Sequence, residues 1–325
     1  MALSRNQLLT FASMGVTSAI LALPIKAIST QLAQATAPAS VAGDVAQVNI
    51  FQAIILGAVQ GLTEFLPISS TAHLKVVPVA LGWGDPGVAF TAVIQLGSIA
   101  AVLWYFWRDI TNITLGAIAA ISRQDYQDND FRMAVGIALG TIPIVVCGLL
   151  IKQFIPDFDN SPLRSMGAIA TASIVMSLLL GVAEKVGTRK RDFNKLGVKD
   201  GVLMGLAQAM ALIPGVSRSG STLTAGLFMS LKRETAARFS FLLGIPAITL
   251  AGLVEFKGVL ETGFAGIGAI PLLVGVISAA VFSYLSIAWL LRFLQTQSTF
   301  VFIAYRLVFG VVILGAIATG LLQNI

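Results

Sequence analysis

The sequence is poor in charge. Lys, Arg, Asp and Glu supply 11% of its 325 residues against 56% hydrophobic, and the mean hydropathy is +0.88. A water-soluble domain needs far more charge to cover its surface, so a soluble fold is excluded. Cysteine occurs once, as Cys147 inside an apolar run, which excludes a disulfide framework and a cysteine-ligated metal. Histidine also occurs once, as His73, so chemistry that requires two imidazoles is out of reach. The net charge of +6 is no nucleic-acid footprint, because it gathers in one loop.

What is present is a series of apolar runs of the length, about 20 residues, that crosses a hydrocarbon core as a helix. Six read as spans: Ala89 to Trp107, Met133 to Ile151, Ser165 to Ala183, Phe239 to Val254, Gly266 to Leu290 and Phe300 to Leu322. Residues 1–46 stand apart. Arg5, an apolar run from Leu8 to Leu23 and the small-residue stretch Ala33 to Ala39 have the shape of a signal peptide or a signal-anchor extension. Residues 47–325 read as one integral-membrane domain.

Two further stretches are apolar yet broken. Ile50 to Gly82 is interrupted at Pro67 and again at Pro78, and Val202 to Met229 carries a Gly/Pro/Ser-rich centre. Neither half of either stretch reaches a full span. Each reads as a re-entrant hairpin, tolerated at membrane depth only where it is buried in protein or lines a wet cavity.

The loop Lys185 to Lys199 holds six basic residues and is placed in the cytoplasm by the positive-inside rule. Counting from it puts the loop Arg108 to Arg132 inside, the start of the first hairpin outside, and the entry of the second hairpin inside. The two hairpins are also related in sequence. Gly57-Ala58-Val59-Gln60-Gly61 parallels Gly205-Leu206-Ala207-Gln208-Ala209, and Pro67-Ile68-Ser69-Ser70 parallels Pro214-Gly215-Val216-Ser217. Copies of about 48–184 and 200–322, each with three spans, must sit with opposite orientation. The expectation is an all-α polytopic membrane protein of six transmembrane helices and two re-entrant helical hairpins in an inverted repeat.

Such hairpins would meet near the midplane, bringing Glu64, Ser69, Ser70 and His73 close to Ser217, Arg218 and Ser219. Polar groups at that depth are costly and mark function. Glu64 is the sole acid between Asp44 and Asp85, and Gln60 lies one helical turn before it. A carboxylate with an amide oxygen suits a hard cation, Mg²⁺ or Ca²⁺, that also binds phosphate. His73 could serve as nucleophile or as general acid/base, with Ser69 or Ser70 in reach. Backbone amides, hydroxyls and a guanidinium around Arg218 are the donors a diphosphate needs. Arg306, after Tyr305 in the last span, reads as a snorkelling residue outside the site. A phosphoanion site in a hydrophobic enclosure points to a lipid phosphate.

The stretches QGLTEFLPISSTAHL and PGVSRSGSTLTAGL, with the FSFLLGIPA run, resemble the undecaprenyl-diphosphatase family of bacitracin-resistance proteins over roughly residues 48–322. The resemblance implies a bacterial inner-membrane enzyme, its site facing the exported side, that hydrolyses undecaprenyl diphosphate to undecaprenyl phosphate and phosphate. That recycles the carrier for cell-wall synthesis and gives bacitracin resistance. By position, the family's Glu/Gln-x-x-x-Glu motif falls on Gln60 and Glu64, its serine pair on Ser69 and Ser70, its histidine on His73 and its arginine on Arg218. Gln60 stands where some members have Glu, which leaves Glu64 as the main anionic ligand. Ala72 stands where a Gly is common.

The implied site has Glu64, Ser70, His73 and Arg218 as catalytic groups, with Ser70 attacking aided by His73, or His73 attacking itself, or either activating a water that attacks. Gln60, Ser69, Thr71, Ser217 and Ser219 bind substrate, and Glu64 and Gln60 hold the divalent cation. Expected partners are a polyprenyl diphosphate lipid, membrane lipids and a second copy in a homodimer, with no nucleic acid. The rival class is a secondary transporter or flippase of a polyprenyl phosphate or another phosphoanion, whose hallmark is also inverted repeats with broken helices. Type-2 phosphatidic acid phosphatases, which need two histidines, are excluded.

Overall fold

The computed structural model describes residues 48–155, 157–158, 161–262 and 268–324. The N-terminal segment read as a signal peptide or anchor lies outside them. Among the described residues there are eleven α-helices: α1 (Ile50–Phe65), α2 (Ser70–Ala80), α3 (Gly87–Tyr105), α4 (Trp107–Arg123), α5 (Asn129–Phe154), α6 (Met166–Val186), α7 (Val198–Ala209), α8 (Arg218–Phe228), α9 (Arg233–Thr262), α10 (Ala269–Thr296) and α11 (Phe300–Ala318). Five of them, α5, α6, α9, α10 and α11, are long and apolar enough to cross a membrane. Helices α3 and α4 give a sixth only if taken together, across a bend of 62°. The chain is an all-helical, multi-pass membrane protein.

Helix α4 occupies most of the segment read as a loop. Ile113, Ala117 and Ala120 are buried at helical spacing while Arg108, Asn112, Ser122 and Arg123 are exposed. An amphipathic helix of this kind is too polar for a hydropathy reading of spans to register.

The two broken stretches each fold as a pair of short helices. Helix α1 opens on a capping box, in which Asn49 Oδ1 accepts from Gln52 N at 2.9 Å and Gln52 Oε1 accepts from Asn49 N at 2.9 Å. It stops because Leu66 precedes Pro67, which pushes Leu66 out of the helical region to φ −66°, ψ 144°. Its 16 residues span roughly 24 Å at the helical rise, short of a full crossing. Pro78 does not make a second break; it sits inside α2 near its end, where one backbone donor is lost.

The caps of α2 and α8 share an unusual backbone. Ser69 has φ 76°, ψ 101° and Ser217 has φ 71°, ψ 118°, a left-handed region that non-glycine residues seldom enter. Each cap is followed by the first residue of its helix, Ser70 in α2 and Arg218 in α8.

Two helix pairs from distant parts of the chain pack closely: α1 lies along α10, and α7 lies along α5. Both contacts use small residues: a Cβ on Gly57 or Gly61 would strike α10 backbone, and one on Gly201 or Gly205 would strike Gly136 or Gly140 of α5. Apolar helices in lipid associate through such close approach and through polar bonds between them. Ser278 Oγ donates to Ile54 O at 2.8 Å, Ser286 Oγ to Leu62 O at 3.2 Å and Ser177 Oγ to Ile303 O at 2.7 Å.

At the basic-loop end, ion pairs lock the helix ends. Buried Glu184 accepts from Arg189 at 3.1 Å, from Thr299 at 2.8 Å and from Arg233. Arg191 grips Asp200, the N-terminal acid of α7, through two bonds of 2.8 Å.

Candidate active site

The end of α1 carries the acid. Gln60 and Glu64 are one turn apart, and Gln60 Nε2 donates to Glu64 Oε2 at 3.2 Å. Gln60 is buried and is steadied from α3 by Ser98 Oγ at 3.4 Å, itself bonded to Ser283 of α10 at 2.8 Å. Ser70, the first residue of α2, donates its hydroxyl to the same Glu64 Oε2 at 2.7 Å. The break between α1 and α2 thus folds the serine back onto the acid.

The second broken stretch supplies a guanidinium. Arg218, the first residue of α8, places Nη2 3.4 Å from Glu64 Oε1. The remaining two guanidinium nitrogens, Nε and Nη1, are buried and have no partner among the described residues. A glycine at 244 on α9 makes the room, since a Cβ there would run into the guanidinium. Unpaired buried donors on a charged group are expensive, and these two point to an anion as their missing acceptor.

Other bonds hold the two breaks together. Ser219 Oγ donates to Leu66 O at 2.9 Å and contacts Ser217 Oγ at 3.2 Å, while Ser217 Oγ accepts from Gly220 N at 3.1 Å. Ser217 and Ser219 therefore organise the turn with the hydroxyls that the sequence reading assigned to substrate.

His73 occupies a different place from the one its sequence neighbourhood suggests. Its Nδ1 lies 2.7 Å from Ser69 O, which can only accept, so that nitrogen carries the proton. Its Nε2 then accepts from Tyr305 Oη at 2.6 Å. The ring is stacked against Phe309, with centroids 4.4 Å apart and planes 17° from parallel. Ser70 Oγ bonds Glu64 and not the imidazole, so the serine's hydrogen-bonded base is the carboxylate. His73 instead ties α2 and its cap to α11.

The structure brings Gln60, Glu64, Ser70 and Arg218 into direct contact, with Ser69, His73, Ser217 and Ser219 around them. Thr71 is not in this group; it is exposed on α2. Two participants were missed by sequence reasoning. Tyr305 bonds His73, and Arg306, read as snorkelling, is fully buried against both breaks. A charge and a phenol side by side within an apolar span were the available signal.

Glu64 offers carboxylate oxygens and Ser70 a hydroxyl, ligands that fit a hard divalent cation; Gln60 faces Glu64 with Nε2, so its amide oxygen would join them only with the amide turned over. Among the described residues no three of His, Cys, Asp and Glu cluster, so such a cation would depend on phosphate oxygens for the rest of its shell.

Residues 53–312 match the model of the family described as bacitracin resistance protein BacA. Among curated proteins, the chain is 75% identical to an undecaprenyl-diphosphatase of Trichormus variabilis over 287 residues, 88% of this chain and 90% of that one. It is 65% identical to that of Trichodesmium erythraeum over 86% of this chain and 90% of the other. With that of Gloeobacter violaceus the identity is 56% over 86% and 96%.

Proposed function

The chain belongs to the BacA bacitracin-resistance family, and from that premise we propose that it hydrolyses undecaprenyl diphosphate to undecaprenyl phosphate and inorganic phosphate. The reaction recycles the lipid carrier for cell-wall synthesis and gives bacitracin resistance. The observation that carries this reading is Arg218, paired across the two breaks with Glu64 and left with two buried donors unanswered. A diphosphate head supplies the acceptors those donors lack.

In the mechanism we favour, Ser70 Oγ attacks the terminal phosphorus as its proton passes to Glu64 Oε2, 2.7 Å away. The bond from that phosphorus to the bridging oxygen breaks, Glu64 passes the proton to the departing undecaprenyl phosphate, and its carboxylate is restored. Water then attacks the phosphoserine, giving its proton to Glu64, which hands it to Ser70 Oγ as the phosphorus–serine bond breaks and phosphate departs. Arg218 offsets charge on the transferring phosphoryl group, the dominant requirement of such chemistry. His73, bonded to Ser69 O, orients the turn that presents Ser70. Glu64, with Gln60 turned to present its amide oxygen, would hold Mg²⁺ or Ca²⁺, which would supply neutralisation of the diphosphate when bound.

The same reading extends to topology. Equivalent helices α1 and α7 pack on α10 and α5 of the opposite half, the arrangement expected of an inverted repeat whose hairpins enter from the two faces. The site faces the exported side of the bacterial inner membrane, and residues 47–325 act as one domain. The deciding experiment is phosphate release from undecaprenyl diphosphate by the purified protein in detergent. Absence of release, with the protein folded and a divalent cation present, refutes the reading.

A further inference from the structure

Among the described residues Arg306 has no acid to answer it. Its guanidinium is fully buried in α11, and among the described residues it forms no ion pair. Its bonds go to neutral oxygens instead: Nε to Ser173 Oγ at 3.3 Å, Nη1 to Pro67 O at 3.2 Å, and Nη2 to Gly215 O at 2.8 Å and Val216 O at 3.1 Å. Burying a charge with no counter-ion costs several kcal/mol even when hydrogen bonds are made, so stability alone is a poor reason for it.

The three carbonyls show what the residue does. Pro67 lies just before the cap of α2, and Gly215 and Val216 just before the cap of α8. One side chain from a third element therefore holds both breaks by their backbones. Gly220, in the first turn of α8, leaves space for the fork, as a Cβ there would come 2.7 Å from Nη1. The charges are also unbalanced. Among the described residues Arg218 and Arg306 adjoin the breaks with Glu64 as the acid between them, so the protein groups here carry one positive charge in excess.

The geometry points to Arg306 as a positioning residue for the diphosphatase reaction, a role that rests on the function proposed above. Its fork fixes the two breaks against each other so that Ser70, Glu64 and Arg218 meet. Its charge is balanced by the bound diphosphate and not by the protein. A lysine would keep the charge but offers a single point of donation, too compact to span carbonyls from two segments.

Full-length wild type, Arg306→Lys and Arg306→Gln are to be compared in detergent by phosphate release from undecaprenyl diphosphate, with thermal unfolding of each measured alongside. Arg306→Lys should keep KM within about threefold while kcat falls about 10²-fold, the effect of misplaced reacting groups. Arg306→Gln should lose as much kcat and also raise KM about tenfold. Wild-type kcat in Arg306→Lys overturns the positioning role, and an unchanged KM in Arg306→Gln overturns the charge balance. Should both variants unfold, Gly220→Ala carries the test, because its methyl displaces the fork and leaves the charge. A kcat reduced about tenfold at unchanged KM then supports the role, and full kcat overturns it. Wild type that releases no phosphate would instead defeat the functional reading, before any variant is compared.

Discussion

Arg218 Nη2 lies 3.4 Å from Glu64 Oε1, an ion pair between residues 154 positions apart whose side chains are each 10% exposed. It joins the two broken stretches at their tips. A pair so enclosed contributes little net stability once both charges are desolvated, but removing one partner strands the other. Its value lies in placing a guanidinium beside the acid and its serine.

Arg218→Lys should therefore reduce kcat/KM about 10²-fold or more, because one ammonium cannot both meet Glu64 and offer a fork to phosphate. Phosphate release from a polyprenyl diphosphate measures it. Turnover within threefold of wild type, about 0.7 kcal/mol in transition-state terms, would show that the fork is not used.

The 2.7 Å bond from Ser70 to Glu64 predicts that the two residues act as a unit. Ser70→Ala and Glu64→Gln should each abolish most turnover, and the double variant should be hardly worse than either. Multiplicative losses in the double-mutant cycle would separate the two groups and return the role of base to another residue.

A cation held by one carboxylate and neutral oxygens should bind weakly without substrate. Chelator should stop turnover, Mg²⁺ or Ca²⁺ should restore it, and the concentration needed should fall as the diphosphate concentration rises. Chelator-resistant turnover counts against any metal role for Glu64 and Gln60.

Far from these residues, Glu184 accepts from Arg189, Arg233 and Thr299 at the basic-loop end. Glu184→Ala leaves those partners unanswered and should cost about 3 kcal/mol of stability. A clear fall in the unfolding temperature is expected, with kcat retained at low temperature. No shift in unfolding would mean the network is decorative.

The proposed topology is open to impermeant thiol labelling in a Cys147→Ser background. Lys190→Cys should react only from the cytoplasmic side and Asp85→Cys only from the exported side. Labelling of both from the same face defeats the inverted arrangement.

The sequence by itself determined the class, because hydropathy over a span's length is a local property. The spans at 133–151, 165–183 and 300–322 reappear as α5, α6 and α11. It also determined which residues were too polar for their depth and the breaks at Pro67 and Pro214, which act on their own neighbours, though not the fate of Pro78, which stays inside α2. Only the tertiary structure decided who meets whom. Arg306 could not be told from a snorkelling arginine until its carbonyl partners, drawn from segments 239 and about 90 residues earlier, were in place. His73 sat in a run with Ser69 and Ser70, yet its ring turns to Tyr305 and leaves the hydroxyl to Glu64. Contacts of that kind depend on the close packing of distant helices, for which a linear pattern carries no distance.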